Sequence, residues 1–223
     1  MFVSNTSVPA GAQEFPAPET AVSFFAPLAA RSYDVLVIDP PWHFKTWSLA
    51  GQTSKSASGQ YRTMPIAEIM ALPVRELLKR DAIVYLWATG AMLPHALETM
   101  KACGVVYKTS FVWRKITCNG KVRWGTGRWA QSGHEHVLLG VVGKPRCFLS
   151  PSIFDGLARA HSRKPDEFYN TILTKTPGLR RADLFAREHR EGFDCWGDEV
   201  GKFSSAPGGC LRNEYAEWPG ARQ

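Results

Sequence analysis

An acidic residue, two prolines and a tryptophan directly follow an apolar run in this sequence. The run VLVI (35–38) leads into Asp39, Pro40, Pro41 and Trp42. Prolines fix the backbone angle φ and donate no hydrogen bond, so the carbonyl groups of Asp39 and Pro40 can act as outward-facing acceptors. Acceptors beside an aromatic ring suit the exocyclic amine of a flat heterocycle. If the Asp39 carboxylate and the Pro40 carbonyl accepted its two N–H bonds, they would localise the lone pair of an otherwise poor nucleophile.

The tryptophan supplies the second half of this chemistry. Stacking of Trp42 on a base would contribute about 1–3 kcal/mol. Each residue also has a structural alternative, because an acid after a strand is often a helix cap or turn residue and a tryptophan often packs in the core.

Strand and helix patterns alternate along the chain and must position this segment. Strands are predicted at 34–38, 82–88, 105–113, 136–142, 181–187 and 193–197. Helices are predicted at 66–80 with a break at Pro73, at 91–104 and at 164–173. Continuous apolar strands alternating with helices predict an α/β fold, a mostly parallel sheet with helices on both faces. Ligands of such sheets bind beyond the carboxyl ends of the strands, which is where Asp39 falls.

The composition limits the domain number, the partners and the compartment. The 223 residues suit one domain, predicted at 31–200 between an N-terminal lead-in (1–30) and a C-terminal tail (201–223). A net charge of +7 favours a polyanionic partner. Five widely spaced cysteines without a CxxC pair favour a reducing compartment. The sequence shows neither a charged signal-peptide start nor an apolar run that could span a bilayer, so a cytoplasmic protein without a membrane partner is predicted.

The middle of the chain interleaves tryptophans with basic residues. The stretch 113–129 contains Trp113, Trp124, Trp129, Arg114, Lys115, Lys121, Arg123 and Arg128. Basic side chains would contact phosphates and the rings would stack on bases, which predicts nucleic-acid binding. The alternative is a solvated loop whose tryptophans pack in the core. The HEH segment (134–136) lacks the HExxH spacing of zinc proteases, so no metal is predicted.

Taken together, these segments resemble a known family. Asp39–Trp42 matches the DPPW motif of S-adenosylmethionine-dependent adenine-N6 methyltransferases, in the branch of the eukaryotic messenger-RNA adenosine methyltransferase with its bacterial and phage members. Further blocks follow in the family's order over roughly residues 33–200, namely YRTM (61–64), LWATG (86–90), GTGRWAQSGHEHVLLGVVGKP (125–145), HSRKPDEFY (161–169), PGLRRADLFAR (177–187) and WGDEV (196–200). The resemblance implies a Rossmann-like class I methyltransferase fold with permuted motif order, because the donor-binding elements come late.

The resemblance also implies roles for individual residues. The residues expected to bind the donor S-adenosylmethionine are Asp39, Lys164, Asp183, Arg187, His189, Asp198 and Glu199. Lys164 would bind the donor's carboxylate and Asp183 its ribose diol, although the family usually carries glutamate at the position of Asp183. The residues expected on the substrate side are Trp42, Tyr61, Trp113, Lys115, Arg128, His134 and Glu135, with Tyr61 closing over the target base.

Three activities remain open on the sequence alone. The first is methylation of adenine N6 in DNA, favoured because this short chain lacks the additional RNA-binding regions of the eukaryotic relatives. The second is methylation of adenosine in RNA. The third is a non-catalytic nucleic-acid binder of the same fold, which the intact DPPW motif argues against. A homodimer or a partner subunit is expected to help hold the substrate.

Overall fold

A seven-stranded sheet forms the centre of the protein. The structure is a computed structural model, and it describes residues 24–43, 63–125, 129–159 and 163–203. Its strands are β1 (Tyr33–Ile38), β2 (Leu78–Ala88), β3 (Val106–Ile116), β4 (His134–Val142), β5 (Ile153–Leu157), β6 (Arg181–Leu184) and β7 (Asp194–Trp196). They lie in the order β5-β3-β4-β2-β1-β6-β7.

The sheet is parallel except around β4. Neighbouring strands pair in parallel at β1–β2, β1–β6, β6–β7 and β3–β5. Strand β4 runs antiparallel to both of its neighbours, β2 and β3. The prediction of a mostly parallel sheet therefore holds only in part, because an apolar pattern shows that a strand is buried but not in which direction it runs.

Within the described residues, three α-helices cover the two faces of the sheet. They are α1 (Ile66–Met70), α2 (Leu93–Ala102) and α3 (Asp166–Lys175), and short 3₁₀ helices lie at Val74–Glu76 and Gly90–Met92. The predicted helix at 66–80 was too long, because the α-helical part ends at Met70 and β2 already begins at Leu78. Proline 73 explains the break, since its ring cannot continue an α-helix. Strand β5 was not predicted.

Alternate residues of β1 point to opposite faces, and each face has its own core. Val35 and Val37 pack with Phe168 and Ile172 of α3. Leu36 and Ile38 belong to the cluster that contains residues of α1 and α2. Both faces of β1 are therefore buried, which accounts for the uninterrupted apolar run in the sequence and confirms helices on both faces.

The segment before β1 packs against the sheet. Phe25 is 1% exposed and lies 5.0 Å, centroid to centroid, from the ring of Trp196 in β7. Residues 24–30 therefore belong to the folded unit, although the sequence assigned them to a lead-in. Most of the predicted lead-in and tail lies outside the described residues. Within the described ranges, no helix is long and apolar enough to cross a membrane.

Candidate active site

The Asp-Pro-Pro-Trp turn leaves the carboxyl end of β1, and backbone hydrogen bonds fix it to β6 and to the segment before α1. The Asp39 amide donates to the carbonyl of Leu184 in β6 at 3.2 Å, and the Pro41 carbonyl accepts from the amide of Met64 at 2.8 Å. The Pro40 carbonyl accepts from the Trp42 amide at 2.8 Å, so one of its two lone pairs is already used inside the turn. The other lone pair is the one that an incoming amine could use.

Trp42 packs in the core on the side of the sheet covered by α1 and α2. Its side chain belongs to that cluster, with 4% of the residue exposed, and its indole N–H donates to the carbonyl of Trp87 at 3.0 Å. The ring exposes almost no surface in this arrangement, and its stacking on a base stays a prediction. The ring ties the turn to the end of β2.

Four charged side chains of alternating sign form a row that ends at Asp39. The Lys164 ammonium lies 3.0 Å from Asp39 Oδ1 and 3.0 Å from Glu135 Oε2. Lys115 Nζ then lies 2.6 Å from Glu135 Oε1. The Glu135 and Lys164 side chains are 6% and 8% exposed, so the inner part of the row is shielded from water. We call these four residues the charge row.

Burial and neighbouring charges set the protonation of the charge row. Burial raises the pKa of Asp39, and the Lys164 ammonium opposes this rise. Burial alone would raise the pKa of Glu135, but Lys164 and Lys115 outweigh it and lower that pKa to about 2. Burial would lower the pKa of Lys164, but Asp39 and Glu135 outweigh it, so the pKa rises and the ammonium stays charged.

Asp183 is the last residue but one of β6 and is almost completely enclosed. Its side chain is 3% exposed, its Oδ2 lies 3.7 Å from Arg190 Nε, and its Oδ1 accepts from the Tyr169 hydroxyl at 3.4 Å. Burial raises the pKa of Asp183 to about 7, with Arg190 opposing the rise and Asp39 adding to it. The two carboxyl groups share one corner because β1 and β6 are parallel neighbours whose carboxyl ends coincide.

A charged cleft opens at this corner, with about 270 Å³ of empty space that includes open solvent. Its lining residues are Asp39, Arg163, Lys164, Tyr169, Asp183, Phe185, Ala186, Arg187, Glu188 and Arg190. Phe185 has a φ of 61°, a strained conformation for a residue with a bulky side chain. Such strain persists only where the surroundings hold it in place, and it is frequent at functional sites.

The remaining predicted donor residues divide between the cleft and the protein surface. Arg187 is a lining residue, and its Nε lies 3.4 Å from Glu199 Oε2. His189 and Asp198 are exposed and do not line the cleft. The structure therefore brings together Asp39, Lys164, Asp183 and Arg187, whereas their contacts with a donor stay predictions.

Sequence reasoning missed six of the lining residues, and four of these six are polar or charged. Arg163 and Arg190 both bind the Glu188 carboxylate, and Tyr169 bonds to Asp183. The available signal was the density of charge in RKPDE (163–167) and REHRE (187–191), two segments that the parallel sheet brings to one edge.

The substrate-side predictions divide into core and surface residues. Trp113 is 2% exposed and donates to the Gly156 carbonyl at 2.9 Å, an arrangement that agrees with the alternative of core packing. Its stacking on a base stays a prediction. Trp124 and Trp129 are 41% and 95% exposed. His134 is exposed, and its Nε2 lies 3.2 Å from Nε2 of His136.

Two substrate-side residues, Tyr61 and Arg128, fall outside the described ranges. The polar stretch at 43–60 lies almost entirely outside them as well. Among the described residues, no group of three or more histidine, cysteine, aspartate or glutamate side chains could hold a metal ion.

The sheet order and the charged cleft at the carboxyl ends of β1 and β6 define an α/β protein of the Rossmann-like methyltransferase class. A comparison with family profiles then matches residues 33–199 to MT-A70. The chain therefore belongs to the MT-A70 family, a family of N6-adenosine methyltransferases.

Individual relatives come from bacteria and eukaryotes. The type II methyltransferase M.MunI of a Mycoplasma species is 30% identical over 195 residues, which cover 79% of this chain and 81% of that protein. The N(6)-adenosine-methyltransferase MT-A70-like protein of Drosophila melanogaster is 32% identical over 164 residues, 70% of this chain and 25% of that protein. The catalytic subunit METTL3 of Homo sapiens is 30% identical over 164 residues, 70% of this chain and 26% of that protein. The match thus covers about a quarter of the length of these eukaryotic relatives.

Proposed function

We propose that this protein transfers a methyl group from S-adenosylmethionine to the N6 amine of adenine in DNA. The observation that carries the proposal is the contact of Lys164 with Asp39 inside a cleft that also contains Asp183. These three side chains offer, within one corner, an acceptor for an amine, a cation for a carboxylate and an acceptor for a diol.

The cleft residues match the chemical groups of the donor. Two of the three N–H bonds of Lys164 go to Asp39 and Glu135, which leaves one for the donor's carboxylate. The Asp183 carboxylate is assigned to the ribose diol. Arg187, which lines the cleft, and His189, which is exposed outside its lining, would flank the ribose. Asp198 and Glu199 are assigned to the ribose and the adenine edge.

The turn residues activate the target amine. Asp39 and the free lone pair of the Pro40 carbonyl accept the two N–H bonds of N6, which localises the nitrogen lone pair toward the donor's methyl group. S-adenosylmethionine, held by Lys164 and Asp183, would supply the methyl group as an electrophile. The N–C bond would form as the carbon–sulfur bond breaks, which would release S-adenosylhomocysteine, and the surplus proton on nitrogen would pass to water by way of the Asp39 carboxylate. Holding both reactants at one corner supplies much of the rate acceleration.

Three observations support DNA as the substrate. The match to M.MunI extends over most of both chains, whereas the eukaryotic match is confined to about a quarter of those proteins. The net charge of +7 suits a phosphate backbone. Lys121, Trp124 and Trp129, between β3 and β4, place a cation and two exposed rings where a strand could bind. An adenine in a duplex must leave the base stack to reach the cleft, at a cost of a few kcal/mol.

Nucleoside mass spectrometry after incubation with labelled donor tests the proposal. The substrates are unmethylated genomic DNA, the same DNA as single strands, and RNA transcribed from it. We expect labelled 6-methyladenine in DNA, and expect Asp39→Asn to lower its rate at least about 100-fold, the scale on which preorganised polar contacts act. Asp194→Asn is the matched control, because this carboxylate pairs with Arg180 at 46% exposure and lies outside the cleft.

Each other outcome has a definite meaning. Label in RNA alone would replace DNA by RNA as the substrate. Label in neither, with intact donor binding, would favour a non-catalytic binder. Normal methylation by Asp39→Asn would overturn the assignment of Asp39.

A further inference from the structure

We propose that Arg190 is a positioning residue that keeps the Asp183 carboxylate charged and aimed at the donor's ribose. The inference rests on the proposed function, because it assumes that the donor binds in the cleft that Asp183 lines. Arg190 lies seven residues beyond Asp183, in the segment between β6 and β7, and no motif in the sequence pointed to it.

Arg190 is fixed on several sides, so its position is well defined. Its Nη1 lies 2.9 Å from Asp166 Oδ1, and its Nη2 donates to the Lys164 carbonyl at 3.3 Å and binds Glu188. The guanidinium carbon lies 3.6 Å from the centroid of the Tyr169 ring. The side chain is 10% exposed. A guanidinium held by this many partners cannot follow the Asp183 carboxylate, so the carboxylate must adjust to it.

The other charged and titratable groups around Asp183 mostly disfavour its charge. Two carboxylates raise the pKa of Asp183, namely Asp39 after β1 and Glu188 after β6. The Cys195 thiol lies on the neighbouring strand β7. Burial is the largest factor that raises this pKa. The Tyr169 hydroxyl of α3 and the guanidinium of Arg190 act in the opposite direction. Arg190 therefore provides the positive charge in direct contact with Asp183 that offsets its enclosure.

The charge state of Asp183 decides what it can accept. An ionised carboxylate offers only acceptors, so both hydroxyls of a ribose diol can donate to it. A protonated carboxyl group has one O–H donor and binds a diol less well. Because the pKa of Asp183 is about 7 with Arg190 present, removing this cation would leave the group mostly protonated at neutral pH.

The test compares donor affinity across a range of pH. Calorimetry with S-adenosylmethionine is carried out from pH 6 to pH 9 on the full chain and on Arg190→Gln. Arg190 Nε lies 3.7 Å from Asp183 Oδ2. Loss of a cation at such a distance raises the pKa of a carboxyl group by about one or two units. The dissociation constant at pH 7 should therefore rise about 5- to 50-fold, and the ratio to the unaltered protein should shrink to about twofold or less at pH 9. Taking this ratio cancels the titration of the donor's own ammonium.

One further variant makes the test specific to charge. Arg190→Lys retains the charge and should bring the ratio at pH 7 close to one. Arg190→Gln should still fold, because Asp166 keeps Arg159 at 2.8 Å and Glu188 keeps Arg163. Thermal unfolding checks the fold of each variant.

The outcomes separate this inference from the proposed function. A ratio that stays constant from pH 6 to pH 9, or a failure of Arg190→Lys to restore affinity, would overturn the positioning by charge. Asp183→Asn should bind the donor weakly and show no titration near pH 7 beyond that of the ligand. If Asp183→Asn instead binds as tightly as the unaltered protein, the assignment of Asp183 to the donor fails, and with it the basis of the inference.

Discussion

Replacement of Glu135 by glutamine should destabilise the fold by an amount that follows from the charge row. Glu135 accepts hydrogen bonds from both Lys115 and Lys164. Burial would raise its pKa, but the two lysines lower it from the ordinary 4.5 to about 2. At about 1.4 kcal/mol per pKa unit, this difference corresponds to about 3 kcal/mol of stability at pH 7. The Gln variant also leaves Lys164 with one carboxylate instead of two, which adds to the loss.

The sign of the pH dependence follows from the lowered pKa. The unfolded chain binds a proton at Glu135 near pH 4.5, whereas the folded protein does so only near pH 2. The stabilisation is therefore complete above pH 4.5 and is lost as the pH falls toward 2. Because glutamine does not titrate, the difference in unfolding free energy between the protein and Glu135→Gln should be about 3 kcal/mol at pH 7 and shrink below pH 4.5.

Urea unfolding at pH 7, 5 and 3 measures this difference. Glu98→Gln is the matched control, because the Glu98 side chain is 62% exposed and its replacement should change the unfolding free energy by less than about 0.5 kcal/mol. A loss below 1 kcal/mol for Glu135→Gln at pH 7 (about a third of the expected value) would refute the reasoning, as would a loss of the same size at pH 3 and pH 7.

Three further changes test the fold and the surface. Gly143→Ala should lower the free energy of unfolding in urea by at least about 2 kcal/mol, because φ is +64° and a Cβ there would overlap Asp81. Gly104→Ala is the control and should cost about 1 kcal/mol, because φ is +67° but the space around it is open. Equal losses for the two variants would contradict this account. Arg114→Ala should leave the unfolding midpoint unchanged, since its ion pair is exposed to solvent. Trp129→Ala should weaken binding to single-stranded DNA about tenfold in a fluorescence titration without changing donor affinity; unaltered DNA binding would remove Trp129 from the contact surface.

Much of the fold was readable from the sequence because it depends on local patterns. The apolar run before Asp39 predicted a strand buried on both faces, and the two β1 clusters confirm it. The direction of β4 was not readable, since alternation and burial look the same in parallel and antiparallel strands. Strand β5 was missed because the polar Asp155 and the small Gly156 interrupt its short apolar pattern.

The site was predictable where a motif carried it and not where packing decided it. Lys164 and Asp183 were found through their sequence blocks, and the structure places both in the cleft with Asp39. The locations of Trp42 and Trp113 depend on contacts with distant residues, such as the carbonyl groups of Trp87 and Gly156. A tryptophan near a motif is equally compatible with a binding surface and with the interior.

The shared ammonium of Lys164 has a thermodynamic consequence for the two reactants. Its three N–H bonds are divided between Asp39, Glu135 and one remaining direction, so any ligand that pulls on one bond alters the other two. If the donor's carboxylate binds the remaining N–H of Lys164, its binding should change the affinity of Asp39 for the target amine. Linkage requires the effect to be reciprocal. The factor by which bound nucleic acid changed the affinity for S-adenosylmethionine would equal the factor by which bound S-adenosylmethionine changed the affinity for nucleic acid.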